Sequence, residues 1–134
     1  MKRINIHYGM GQYKNLSNLY KRPFKIRNKK TNEYVRFESV EHAYQSLKGG
    51  KFDEVTYNNP RWKQGGVKIR GRFRPNPETN IKLMEQLMRM SFKQNPKALA
   101  ALKATGKDII THNPDKTIWG KEFPRILSNL RRNL

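Results

Sequence analysis

No cysteine occurs anywhere in the chain, which removes disulfides, thiolate catalysis and cysteine-ligated metal and leaves the redox compartment open. Acidic residues are scarce as well: 10 Asp and Glu stand against 29 Lys and Arg, a formal net charge of +19. So large an excess of one sign repels itself in a compact state and is best offset by a polyanion. Nucleic acid or a phosphate-rich ligand is the expected company. No apolar run is long enough to span a bilayer, no signal-peptide pattern follows Met1, and no strongly amphipathic basic helix carries a Trp or Phe edge. These absences speak against a membrane partner and lead to the expectation of a soluble, cytoplasmic protein. His7, His42 and His112 are too few and too scattered for a metal motif and read as structural or surface groups, so neither metal nor cofactor is expected.

Hydrophobic residues are also sparse, at 35% of 134, which fits one domain with a small core and a large surface. Aromatic residues at 10%, several helical patterns and the lack of any low-complexity tract favour a folded chain over a disordered one.

What is present centres on Ser39 to Gly50, SVEHAYQSLKGG. Ser39 is suited to capping a helix and Gly49 and Gly50 to ending it, with no breaker between. At helical spacing Val40, Ala43, Tyr44 and Leu47 form a mostly apolar stripe that docks on the core, while Glu41, Gln45 and Lys48 form a polar one.

Before this helix, Ile4, Ile6 and Tyr8 alternate as a short strand, followed by a turn at Gly9 and Gly11. Phe24 and Ile26 alternate with basic residues, the NKKTN turn follows, and Tyr34, Val35 and Phe37 return, which predicts a hairpin over 23–37. After the helix, residues 51–64 read either as a short helix around 52–57 or as an irregular loop over tucked aromatics. In VKIRGRFR, residues 67–74, an extended backbone puts Arg70, Arg72 and Arg74 on one side; the segment is either a solvated basic loop or a phosphate-contacting one. Ile81, Met84, Leu87, Met88 and Phe92 recur at helical spacing, with the methionines as core filling. Pro96 starts a second helix that Gly106 stops, Ile109 and Ile110 suggest a brief strand, and HNPDKTIWG is a turn-rich loop presenting Asp115 and Trp119. A last helix over about 123–132 turns Ile126, Leu127 and Leu130 inward.

Most carboxylates fall where solvent is the expected neighbour, Asp53 and Glu54 in a polar loop among them. Glu41 and Asp115 stand out. Glu41 lies in a first turn whose dipole favours the ionised form, suiting it to base or electrostatic work more than to donating a proton. Asp115 lies in a loop beside an indole. A carboxylate, an aromatic plane and an arginine loop together would make a site for an adenosine or ADP-ribose group.

In order and rough spacing, LSNLYKRPF (16–24), SVEHAYQSLK (39–48), IRGRF (69–73), FKQNP (92–96), and ATG followed by IWG (104–120) resemble the NADAR family. That family includes the YbiA-like proteins and the riboflavin-intermediate N-glycosidases. The resemblance implies a helix-dominated α+β single domain with a small N-terminal hairpin. It also implies an N-glycosidase that cuts the bond between a ribose C1 and a base nitrogen, without a metal. Two substrate classes follow from it: ADP-ribosylated nucleic-acid bases, with ADP-ribose as product, and phosphoribosylated riboflavin precursors. Carried over by position, Glu41 becomes the catalytic carboxylate, Tyr44 and Gln45 pocket residues, and Lys48 either a nucleophile or an electrostatic partner. As a nucleophile Lys48 must be neutral, which requires burial. Asn18 would contact ribose or phosphate, Arg72 phosphate, and Trp119 a stacked base. The chain departs from the family pattern at Lys116, where an acid is usual three before the Trp; Asp115 stands one position earlier as the alternative catalytic acid. The glycine-rich stretch that usually follows WG is missing. The heavy positive charge fits a nucleic-acid substrate better than a small flavin precursor, as in a phage-encoded protein that reverses ADP-ribosylation of DNA. A non-catalytic module that grips nucleic acid or ADP-ribose is the alternative from another class.

Overall fold

The structure, a computed structural model, describes residues 2–8 and 12–134; the turn expected at Gly9 and Gly11 lies outside the described residues. Strand β1 (Arg3–Asn5) pairs in parallel with β4 (Ile109–Thr111), Ile4 opposite Ile110. Ile4, Ile6 and Ile110 are buried, so the alternation that marks the strand in the sequence is the alternation that fills the core. The Asn5 side chain extends this pairing by donating to the Asn113 carbonyl at 2.8 Å and accepting from the Asn113 N–H at 3.1 Å.

Strands β2 (Phe24–Arg27) and β3 (Tyr34–Phe37) form the expected antiparallel hairpin, with Phe24 opposite Phe37 and Ile26 opposite Val35. Phe24 and Phe37 are buried, whereas Lys25, Arg27, Tyr34 and Arg36 face out.

Helix α1 (Val40–Leu47) begins where Ser39 caps it, its Oγ accepting from the His42 N–H at 3.1 Å. Val40, Ala43 and Tyr44 are buried on the expected stripe, and His42 and Ser46 are buried too. His42 is a structural residue. Its ring lies flat between Tyr57 and Trp62, each 4.9 Å away, with Nδ1 accepting from the Glu38 N–H and Nε2 facing the Tyr57 carbonyl, both at 2.9 Å. That pattern fixes the neutral tautomer with the proton on Nε2.

The ambiguous stretch after α1 contains a short helix, α2 (Glu54–Tyr57), and a turn of 3-10 helix over Pro60–Gln64. Asp53 caps α2 and is buried, which corrects the reading of Asp53 as a solvated loop carboxylate. Residues 67–74 run without regular structure, but the alternation holds: Lys68, Arg70, Arg72 and Arg74 are exposed while Val67, Ile69, Gly71 and Phe73 are covered.

Helices α3 (Asn80–Gln94) and α4 (Pro96–Ala104) form the helical hairpin, and α3 packs Met84, Leu87, Met88 and Phe92 against α1. Gly106, at a φ of 60°, makes the left-handed turn out of α4. The RPF and QNP segments meet at the C-terminal end of α3. Asn95 donates to the Pro23 carbonyl, Gln94 pairs with both backbone groups of Lys25, and buried Arg22 donates to Ser91 Oγ. Helix α5 (Trp119–Asn133) buries Ile126, Leu127 and Leu130. It starts at Trp119 rather than near 123, so the indole stands on a helix and not in a loop. Among the described residues no helix is long and apolar enough to cross a membrane.

Candidate active site

A cleft of about 540 Å³ opens between α1, the ends of the parallel strands and the start of α5. It is lined by Asn18, Glu41, Tyr44, Gln45, Asp115 and Trp119, residues that are far apart in the chain and that the sequence motifs single out. Lys48 and Arg72 are not among the lining residues.

Glu41 enters from the first turn of α1, whose N-terminus is tied down by the Glu41 N–H donating to the Asn18 carbonyl at 3.0 Å. Burial pushes its carboxyl up, against the opposing pull of the Gln45 amide and of Lys68 and Lys48. The helix dipole alone would keep this group ionised and unfit as a proton donor; burial outweighs it, and a raised carboxyl is suited to act as an acid. Gln45 holds Glu41 in place, donating to its Oε1 at 2.7 Å while accepting the Gly71 N–H at 2.9 Å. Gly71 must be glycine for this: a Cβ there would overlap the Gln45 carbonyl oxygen.

The opposite wall is aromatic. Trp119 meets Tyr44 edge-on at 5.6 Å and stacks on Phe123 at 5.0 Å. The loop carrying Asp115 lies directly on Gly120, where a Cβ would overlap the Asp115 carbonyl oxygen, which accounts physically for the glycine after Trp119. Asp115 Oδ1 accepts from the N–H of Thr117 at 2.8 Å and from its hydroxyl at 2.5 Å. Burial pushes the Asp115 carboxyl up, but the Thr117 hydrogen bonds and the nearby histidines outweigh it and hold it below its ordinary value.

Lys48 ends α1, is buried, and lies under the 67–74 loop. Burial and Arg70 lower its pKa, while Glu41 and Asp53 pull the other way. The burial that a nucleophilic lysine needs is present, but the side chain does not reach the cleft wall. Arg72 is engaged elsewhere, its Nε donating to Asp53 Oδ1 at 2.7 Å, so its guanidinium is held by a carboxylate and does not point a free charge at the cleft.

Among the cleft residues outside the site expected from the sequence are His7, His112, Lys68 and Met84. The two histidines, scattered in the sequence, come together with ring centroids 5.0 Å apart and planes tilted by 33°. Parallel strands bring their C-terminal ends together, and each histidine closely follows such an end. Among the described residues, His7 Nδ1, Asn18 Oδ1, His112 Nδ1 and Arg22 Nη2 are buried side-chain polar atoms without a hydrogen-bond partner. All but the last belong to residues lining the cleft. Because His112 Nδ1 lies 3.1 Å from Asp115 Oδ2, His7 Nδ1 and Asn18 Oδ1 are the two there with neither a hydrogen-bond nor an ion-pair partner. Buried polar groups are ordinarily satisfied, so this concentration marks where a ligand or ordered water belongs.

The fold is of the YbiA-like α+β type. Over 98% of this chain and 84% of the other, it matches the solution NMR structure of the E. coli protein YbiA with a TM-score of 0.70, at 21% sequence identity. No protein-family model matches the chain, and no curated protein matches it.

Proposed function

We propose that this chain is an N-glycosidase that hydrolyses the bond between ribose C1 and a base nitrogen, releasing ADP-ribose from modified nucleic-acid bases. The observation that carries this reading is the coincidence, in one cleft, of a carboxyl raised by burial, an aromatic wall and unpartnered polar atoms. Glu41 protonates the departing nitrogen as positive charge develops on the ribose, and its ionised form then stabilises that charge. Trp119 offers a face to a base or nicotinamide-sized ring. Lys68 and Lys116 at the rim, continued by Arg70 and Arg74, supply non-specific affinity for a phosphate backbone. The motif resemblance supports the same bond class.

A cleft of about 540 Å³ also accommodates a small phosphoribosylated amine such as a riboflavin precursor. DNA oligonucleotides carrying ADP-ribose on guanine or thymine, incubated with the protein beside such an amine and followed by mass, separate the two. Recovery of the unmodified base with free ADP-ribose supports the leading reading. Turnover of the amine alone, insensitive to salt, replaces it; binding without turnover of either points to a binding module. Glu41→Gln should abolish turnover, by about 10²–10⁴-fold for loss of a general acid, and leave ADP-ribose binding largely intact. Because the folded pKa of Glu41 is raised, its contribution to stability is present below the unfolded value and lost as pH rises through the folded one. Glu41→Gln should therefore also be more stable than the parent at neutral pH.

A further inference from the structure

We propose that His112, oriented by Asp115, is the base that takes a proton from the attacking water in the cleft that holds Glu41. This inference rests on the N-ribosyl hydrolysis proposed above and adds the group that completes it.

His112 directly follows β4, and the loop after it is fixed by both hydrogen bonds between the Asn5 side chain and the Asn113 backbone. Its ring is edge-on to Phe123 at 5.0 Å and beside His7, so it is braced on two sides. Asp115 commits Oδ1 to Thr117 and leaves Oδ2 at 3.1 Å from His112 Nδ1. That contact lies off the line of a hydrogen bond, and Nδ1 has no other partner. A small turn of the ring on ligand binding aligns Nδ1–H with Oδ2, which places the lone pair on Nε2. A carboxylate behind an imidazole both orients the ring and stabilises the imidazolium once it forms.

The charged and titratable groups facing His112 are Asp115, His7 and Lys68. Burial lowers its pKa, Asp115 opposes this, and His7 and Lys68 add to the lowering. The imidazole is therefore neutral at neutral pH and free to accept a proton, while Glu41 in the same cleft is shifted the opposite way. Burial favours the neutral form of each, a carboxylic acid that can donate and an imidazole that can accept. In the balanced step the C1–N bond breaks with its electron pair going to the base nitrogen, which takes the Glu41 proton. The water oxygen bonds to C1, and the water proton passes to His112 Nε2. Solvent then returns that proton to Glu41.

The test uses the full chain and an ADP-ribosylated oligonucleotide. His112→Gln should lower kcat by about 10²–10⁴-fold with little change in KM, and remove the acid limb of the pH profile that the parent shows as the imidazole protonates. His112→Ala should regain turnover when imidazole is added, which a purely structural histidine would not allow. Asp115→Asn should lower kcat and shift the acid limb to lower pH. Turnover by His112→Gln within twofold of the parent, or an Ala variant that binds ADP-ribose normally yet is not rescued, overturns the inference while leaving the N-glycosidase reading standing. A parent inert on both substrate classes overturns that reading, and this inference with it.

Discussion

Arg72 meets Asp53 twice, donating its backbone N–H to Oδ2 at 2.8 Å and its Nε–H to Oδ1 at 2.7 Å. Thr56 donates to the same two oxygens, so a carboxylate only 1% exposed joins the 67–74 loop to the start of α2. Burial pushes Asp53 up, but hydrogen bonds from Thr56 and Arg72 outweigh it and hold the carboxyl well below the usual carboxylate range. A depressed folded pKa contributes stability that is present above the unfolded value of about 4 and lost as pH falls towards the folded one. Urea titrations below about pH 4 should therefore show the parent losing this contribution and Asp53→Asn showing no corresponding loss. Asp53→Ala, which removes the cap of α2 and leaves its donors unmatched, should cost about 2–4 kcal/mol at neutral pH.

Gly71 carries a second tie of that loop, this one to Gln45 of α1. Gly71→Ala has no room beside the Gln45 carbonyl, so the loop must lift, at a cost of about 1–3 kcal/mol. Turnover should fall as well, because Gln45 loses the N–H that holds its amide towards Glu41. A thermal midpoint equal to the parent's would mean that the loop is not seated as described.

Trp119 stands free enough to meet a ring on one side while Phe123 backs it on the other. Trp119→Ala should weaken ADP-ribose binding by about 1–3 kcal/mol, the range for removal of a stacking platform, and Trp119→Phe by less. Calorimetry with ADP-ribose alone measures this without any turnover, and unchanged affinity would remove the indole from the ligand wall.

Arg70 and Arg74 are exposed and, unlike Arg72, have no carboxylate partner among the described residues. Neutralising both as Arg70→Gln with Arg74→Gln should flatten the salt dependence of oligonucleotide binding. The expected change in log–log slope is about 0.7 for each single-strand phosphate that is no longer neutralised. Anisotropy with an unmodified oligonucleotide across a salt series gives that slope, and an unaltered slope would place the nucleic-acid track elsewhere.

The elements legible in the sequence are those set by local pattern. The hairpin, α1 with its Ser39 cap, α3 and α4 all follow from alternation, helical spacing and Gly or Pro punctuation, and they appear at those positions in the fold. What is not legible depends on partners distant in the chain. Asp53 looks solvated in the sequence because its loop is polar; Thr56 and the return of Arg72 together offset the cost of its burial. Helix α5 begins earlier than expected because HNPDKTIWG reads as one turn-rich loop; in the fold its last two residues are already helical, and Gly120 gives clearance to the Asp115 backbone. Glu41 is recognisable as a site residue, but the sign of its shift comes from the walls around it, which a helix-dipole argument omits. His7 and His112 look isolated along the chain, and only the pairing of β1 with β4 makes them neighbours.

That pairing also decides when the site exists. Glu41, Tyr44 and Gln45 are set by one helix and its near neighbours, whereas the histidine wall depends on residues such as Ile4 and Thr111, 107 positions apart. Pairings of that separation form slowly, since a long loop must close before they contribute. Helical signal in a refolding chain should recover before the cleft does, leaving a helical but siteless species on the way to the native state.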